Sequence, residues 1–382
     1  MIKFLHTADL HLGKVFHEQS LIEDQDHMLT GLIEILKDQS YAALLIAGDV
    51  YDRSVPSPEA VELFGSFLVK LKRLRPGIEI LVIPGNHDSP VRLGFGRELF
   101  AGLGIHLAAS AADAVKPVVI GNGGESCAFF LLPFSGHARL TAETAARLEE
   151  ARSLCAASGI WHSVVAAHLF AAGGSETGSE RVFLGDAERI DMGIFAGFDY
   201  AALGHLHRFQ RAGKNGWYSG SPLAYSFGEA GNEKYVLAVT PGGGTAESGE
   251  GKAALVEPLP VRPLRRLVRI RGPFKRFLSP SPDDAELLDA RNDYLEITLD
   301  ERRFAENALA LLRKNFPFLL SINQEEAFAA LEKTLRVPGA VSARKDLAGG
   351  FEDFLRFLYG SADGAKAALF RELEREKEGE NP

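Results

Sequence analysis

At 382 residues the chain is longer than one hydrophobic core usually serves, so two or more domains are expected. Its 46% hydrophobic and 24% charged content is ordinary for a soluble globular protein, and its only cysteines, Cys127 and Cys155, exclude a disulfide framework or a zinc ribbon and suit a reducing cytoplasm. A net charge of −9 argues against whole-surface attraction to nucleic acid but leaves room for a local basic site.

The chain opens MIKFLHTADLHLG, which lacks the long apolar core of a signal peptide, and no later apolar run approaches the length of a membrane span. Ile2–His6 reads as a strand and Asp24–Lys37 as a helix. Ala42–Ala47 is wholly apolar, hence a buried strand. Pro58–Leu74 is a helix entered through Ser57, and Ile78–Ile83 is another buried strand. This β-α-β-α-β order predicts a sheet covered by helices. Short strands follow over Val115–Ile120, Ala128–Leu132, Ser163–Ala167 and Tyr200–Leu203, with a helix over Ala142–Ala157. Gly173–Glu180 and Gly242–Gly251 read as loops, the second closing a first domain over residues 1–250. Strands at Leu264–Ile270, Tyr294–Leu299 and Phe318–Ile322, with a helix over Phe304–Asn315, suggest a small α+β domain over 258–323. Residues 324–382 read as helical, with breaks at Gly339 and Gly349–Gly350.

Five clusters of metal-binding side chains follow the predicted strands of the first domain. They are Asp9-Leu10-His11, Gly48-Asp49, Gly85-Asn86-His87-Asp88, His168 and Gly204-His205-Leu206-His207. Side chains at i and i+2 of an extended segment point the same way, so Asp9 with His11, and His205 with His207, are each expected to aim at one site. In α/β sheets, ligands bind outside the carboxyl ends of the strands, and the adjacent glycines suit the sharp turns needed there. Any one fragment is a weak signal, since a single histidine after a strand is commonly structural. Five in order at strand exits have no comparable bland explanation. A shell of Asp, His and Asn without thiolate suits Mn²⁺, with Fe²⁺ or Zn²⁺ as other divalent candidates. Seven such residues exceed the needs of one catalytic ion. Two ions about 3.5–4 Å apart suit phosphate-ester hydrolysis.

The pattern D-x-H, GD-x-x-D, GNHD, H, GH-x-H resembles the calcineurin-type metallophosphoesterase superfamily. Within it, FLHTADLHLG, LLIAGDVYDR, LVIPGNHDSP, ALGHLH and SGSPLAYSFGE resemble the SbcD family of Mre-type nuclease subunits, over residues 1 to about 240. The resemblance implies a metallophosphoesterase β-sandwich flanked by helices, a small α+β capping domain and a helical C-terminal extension. It implies one ion on Asp9, His11, Asp49 and His207, and a second on Asp49, Asn86, His168 and His205, with Asp49 bridging. His87 becomes the catalytic histidine, with Asp88 expected to orient it. His6 is expected to be structural. Some relatives carry a histidine where this chain has Asp52, so a cationic phosphate clamp there is unassigned or falls to Arg53.

The resemblance further implies an Mn²⁺-dependent double-strand 3′→5′ exonuclease and single-strand or hairpin endonuclease. It would serve DNA repair, replication and recombination and be regulated by ATP through an SbcC-type coiled-coil ATPase, since this chain has no P-loop. It also implies a homodimer within a heterotetramer, with the helices at Pro58–Leu74 and Arg92–Leu103 as the dimer face; otherwise their apolar residues only cover the sheet. Arg265, Arg269 and Arg271, in the acid-free stretch from Pro258 to Pro282, are candidate DNA contacts; otherwise the stretch is a solvated strand face. Apolar stripes Phe351, Phe354, Leu355, Leu358 and Leu369, Phe370, Leu373 either fold back on the protein or dock on the ATPase partner. The alternative substrates for the same chemistry are phosphoproteins or small phosphodiesters.

Overall fold

The computed structural model describes residues 2–110, 112–122, 124–134, 142–172, 174, 190–243, 254–301, 305–326, 349, 351–352, 354–356 and 364–379. Most of the expected loops at 173–180 and 242–251, the glycine breaks at 339 and 350, and Leu358 lie outside these residues. The chain forms two compact units, Met1–Leu267 and Val268–Pro382.

In the first unit the strands are β1 (Lys3–Thr7), the hairpin β2 (Val15–Phe16) and β3 (Gln19–Ser20), β4 (Tyr41–Ala47), β5 (Glu79–Ile83), β6 (Ile105–Leu107), β7 (Val118–Asn122), β8 (Glu125–Leu132), β9 (His162–His168), β10 (Tyr200–Gly204), β11 (Gln210–Ala212), β12 (Gly216–Tyr218), β13 (Tyr235–Thr240) and β14 (Leu255–Pro260). They build two six-stranded sheets, ordered β14-β13-β1-β4-β5-β6 and β11-β12-β10-β9-β8-β7. β1, β4 and β5 run parallel in the first sheet, and β8, β9 and β10 in the second.

The sheets face each other across one apolar layer. Phe4, Leu45, Leu81 and Val239 meet Phe129, Val164 and Tyr200, with Phe4 edge-on to both aromatic rings. Burying an aromatic or branched side chain here contributes about 1.5–3 kcal/mol each. On its other face the second sheet carries α5 (Ala142–Ala157), which buries Leu148. Helices α1 (Ile22–Leu36) and α2 (Pro58–Leu74) pack on each other and bury Met28, Leu29 and Leu32, and Phe64, Phe67 and Leu71. Ser57 caps α2 by accepting the Ala60 N–H, with Pro58 in the first turn, as the sequence requires. Coverage on both sides is why β4 is apolar along its length. Where the sequence suggested one helix over Arg92–Leu103, there are two short ones, α3 (Pro90–Leu93) and α4 (Arg97–Ala101), because Gly96 between them is left-handed at φ +70°.

The second unit holds a three-stranded sheet, β15 (Leu267–Gly272), β16 (Tyr294–Leu299) and β17 (Leu319–Asn323), around Ile297, Leu312 and Phe316. Its helices α6 (Phe274–Leu278), α7 (Ala285–Asp289) and α8 (Ala308–Leu312) are short; α8 replaces the longer helix expected to Asn315. A C-terminal helix, α9, spans Gly364–Gly379. Phe351 stacks on Phe370 at 4.2 Å between ring centroids, so the two apolar stripes meet each other in part. Leu369 and Leu373 stay exposed. Among the described residues, no helix is long and apolar enough to cross a membrane.

Candidate metal centre

Every cluster singled out in the sequence sits at a carboxyl end of a parallel strand. Asp9 and His11 follow β1, Asp49 follows β4, Asn86 to Asp88 follow β5, His168 ends β9, and His205 and His207 follow β10. These ends converge because the two sheets approach very closely at glycines. A Cβ on Gly204 would lie 1.9 Å from the Ala47 carbonyl oxygen, and one on Gly48 would lie 2.2 Å from His168 Nδ1. Gly48 also has φ +94°, which an L side chain rarely adopts.

The shared direction of Asp9 with His11 has a different cause from the one expected. Neither residue is extended: φ is +55° at Asp9, +43° at His11, +48° at Asp49 and +104° at His205. Tight left-handed turns aim these side chains, and such backbone costs about 1–3 kcal/mol per residue unless the surroundings enforce it. The enforcement is visible. Gln25 of α1 donates to the His11 carbonyl at 2.7 Å and accepts the Gly13 N–H at 2.9 Å. The Tyr225 hydroxyl donates to the Leu10 carbonyl, and Asp9 accepts the His205 N–H at 3.0 Å.

The side chains meet in two groups around Asp49. His11 Nε2 and His207 Nε2 face each other at 3.1 Å, while His168 Nε2 and His205 Nδ1 lie 2.9 and 3.0 Å from the single oxygen of Asn86. Asp49 Oδ2 lies between the groups, 3.7 Å from His11 Nε2 and 3.4 Å from His168 Nε2. Ring nitrogens pointing at one another, buried with two carboxylates, are a donor set that a divalent cation fits. Asp9, His11 and His207, and Asp9, Asp49 and His168, each bring one ligand atom within 4.8 Å of the others.

Burial raises the Asp9 carboxyl to about 6. Burial pulls His168 the other way, yet Asp49 and Asp9 beside it raise it to about 9. Burial lowers His11 to about 4 and His205 to about 3.

His87 lies at the edge of the cluster, its ring 4.8 Å from that of His11. Its orientation corrects the expectation for Asp88. His87 Nδ1 is held at 2.8 Å by the backbone carbonyl of Asp52. Asp88 instead accepts backbone N–H groups from Val50, Tyr51 and Gly85 at 3.0, 2.9 and 2.9 Å. It thereby ties the loop after β4 to the loop after β5. Asp52 carries a carboxylate 2.7 Å from Lys14 Nζ and 3.5 Å from His11 Nδ1, so it is a partner of the first histidine and no phosphate clamp. Arg53 is 77% exposed beside it, at 3.9 Å. His6 is buried and bonded to the Tyr200 hydroxyl at 2.9 Å, a structural residue.

The basic stretch also reads differently in three dimensions. Arg265 pairs with Glu23 and buried Asp24 at 2.7 and 3.0 Å. Arg269 pairs with Glu296 at 2.7 Å, and Arg271 with Asp300 and Glu326 at 2.6 and 3.2 Å. The stretch lacks acids in sequence, but neighbouring strands and helices supply them. These three arginines are ion-paired strand and loop residues, not an uncompensated positive patch.

Sequence reasoning assigned no role to Glu229 and Lys234. Glu229 is fully buried, bonded to Lys234 Nζ at 2.5 Å, and its Oε1 is 3.6 Å from His207 Nδ1. Lys234 also donates to the His207 carbonyl at 3.1 Å and to Ser221 Oγ at 2.9 Å. The SGSPLAYSFGE segment was the only signal, and a glutamate in such a loop is ordinarily exposed.

Residues 2–209 match the family model for calcineurin-like phosphoesterases, and the chain belongs to that family: it is a metal-dependent phosphoesterase, a hydrolase. It is similar to the SbcD subunit of the nuclease SbcCD from Staphylococcus saprophyticus, with 29% identity over 347 residues that cover 85% of this chain and 88% of that relative. Among solved structures it is similar to a dimetal phosphatase from Danio rerio, with TM-score 0.42 and 10% identity over 67% of this chain and 98% of that one. It is likewise similar to calcineurin-like phosphoesterase YfkN from Bacillus subtilis, with TM-score 0.39 and 11% identity over 68% of this chain and 89% of that one.

Proposed function

We propose that this chain is the Mn²⁺-dependent nuclease subunit of an SbcCD-type complex, cutting DNA as a double-strand 3′→5′ exonuclease and a single-strand or hairpin endonuclease. The observation that carries this reading is the convergence of seven Asp, His and Asn residues on one buried point, in a chain that aligns with an SbcD nuclease over most of its length. Asp9, His11, Asp49 and His207 would hold one ion, and Asp49, Asn86, His168 and His205 the other. The position of Asp49 Oδ2 between His11 and His168 favours it as the bridge. The chemistry that two ions would supply there is an activated water and neutralised charge on the phosphoryl oxygens.

The chain's own residues do the rest. His87, fixed through Nδ1 by the Asp52 carbonyl, would use its other ring nitrogen to protonate the leaving oxygen. Residues 1–250 would form the nuclease domain, 258–323 a capping domain and 324–382 the helices that bind an SbcC-type ATPase. The working form would be a cytoplasmic homodimer within a heterotetramer, acting in repair, replication and recombination.

The test is cleavage of linear duplex, hairpin and circular single-stranded DNA with Mn²⁺, with bis-p-nitrophenyl phosphate and a phosphopeptide as controls. DNA cleavage well above the controls supports the reading. Turnover of the controls without DNA cleavage would replace it with a phosphatase or small-diester enzyme.

A further inference from the structure

The two imidazoles that face each other across the centre are backed in the same way. His11 and His207 present Nε2 to each other at 3.1 Å. Behind His207, Nδ1 meets Glu229 Oε1 at 3.6 Å, and Glu229 is tied to Lys234 at 2.5 Å. Behind His11, the buried Nδ1 has no hydrogen-bond partner among the described residues but faces Asp52 Oδ1 at 3.5 Å, and Asp52 is tied to Lys14 at 2.7 Å. His168 is held otherwise: its Nδ1 donates to a neutral carbonyl, that of Ala47, at 2.9 Å.

We infer that Glu229 with Lys234, and Asp52 with Lys14, are paired positioning devices that fix His11 and His207 as Nδ1–H tautomers. Each then directs an Nε2 lone pair at the same ion position. The inference rests on the two-ion reading and deepens it, by making the His11–His207 position depend on these carboxylate–lysine pairs, whereas His168 Nδ1 is bonded to the Ala47 carbonyl.

A carboxylate behind an imidazole selects the tautomer and raises the basicity of the opposite nitrogen. A carboxylate buried without a counter-charge is costly, and each of these has a lysine in contact. Finally, Lys234 is anchored to the His207 carbonyl and to Ser221, so the charged pair is fixed relative to the ring it supports. None of these residues belongs to the seven that converge on the centre. Their effect on catalysis would pass through His11 and His207.

The test is an Mn²⁺ titration by calorimetry on the full chain, with melting of the metal-free protein as a folding control. The variants are Glu229→Gln, Glu229→Gln with Lys234→Met, and Asp52→Asn. The double substitution removes both buried charges together, so it decides the matter if Glu229→Gln alone fails to fold. Wild type should bind two ions. Each variant should lose about 10–100-fold in affinity at one ion and keep the other unchanged. In the Zn²⁺-loaded, ¹⁵N-histidine-labelled protein, long-range ¹H–¹⁵N spectra should show His207 as an Nδ1–H tautomer, and that signature should weaken in Glu229→Gln. Variants that melt like wild type and bind both ions with unchanged affinity would overturn the inference. A wild type that binds fewer than two ions would fail the two-ion reading itself.

Discussion

At the scale of single residues, the roles proposed for His87 and for the histidines around Asn86 can be separated by experiment. Replacing His168 or His205 with Ala should bring phosphodiester cleavage to background and lower Mn²⁺ stoichiometry by one, because each ring lies at Asn86. His87→Ala should keep both ions and lose about 10²–10⁴-fold in turnover, since on the proposed reading it removes only proton transfer. Calorimetric stoichiometry beside the rate distinguishes the two; a lost ion in His87→Ala would make that residue a ligand. Protonation adds a second residue-scale prediction. In the metal-free protein, His168 is raised to about 9 by Asp49 and Asp9 against the pull of burial, and burial raises Asp9 to about 6. At neutral pH His168 therefore carries a proton that an incoming cation must expel. Apparent Mn²⁺ affinity should climb as pH rises from 6 to 8. Titrations in buffers of different ionisation enthalpy should report proton release, and a pH-independent affinity would contradict this.

At the scale of elements, the strand exits and their glycines do the positioning. Gly204→Ala would place a methyl 1.9 Å from the Ala47 carbonyl, where only backbone can yield. The expected cost is about 3 kcal/mol, as for overpacking in a rigid core, measured by urea unfolding of the metal-free protein. The third sheet gives the opposite expectation. Arg269 and Arg271 are engaged with Glu296, Asp300 and Glu326, and such exposed pairs contribute about 0–1 kcal/mol each. Replacing both with Gln should change the slope of log DNA affinity against log salt by less than about one unit per residue. A fall of about two units would mean that these arginines leave their carboxylates for phosphate.

At the scale of the whole molecule, the C-terminal stripes meet in part among the described residues. Phe351 stacks on Phe370 and Leu355 is buried, while Leu369 and Leu373 remain exposed on α9. Stopping the chain after Asn323 should leave Mn²⁺-dependent cleavage of short single-stranded DNA within a few-fold of wild type. Co-purification with an SbcC-type ATPase should be lost. An insoluble truncation, or one that still captures the ATPase at full strength, would assign these helices to the protein's own core or to no assembly role.

The sequence by itself determined what depends on local order. Apolar runs such as Ala42–Ala47 declare buried strands, Ser57-Pro58 declares the start of α2, and the ligand residue types sit at strand exits where side chains leave the sheet. Asp9, His11, Asp49, Asn86, His168, His205 and His207 were legible for that reason, and the structure brings all seven together. Tertiary structure alone decided what depends on neighbours distant in the chain. The shared aim of Asp9 and His11 comes from left-handed turns clamped by Gln25 and Tyr225, not from strand periodicity. His87 is oriented by a backbone carbonyl, which carries no residue signature, and Asp88 bonds to three backbone amides instead. The acids that pair with Arg265, Arg269 and Arg271 come from other elements, so an acid-free stretch of sequence is not an unpaired patch of surface. Glu229 and Lys234 stand only five residues apart, yet their role depends on burial against His207, and burial is a property of the packed molecule.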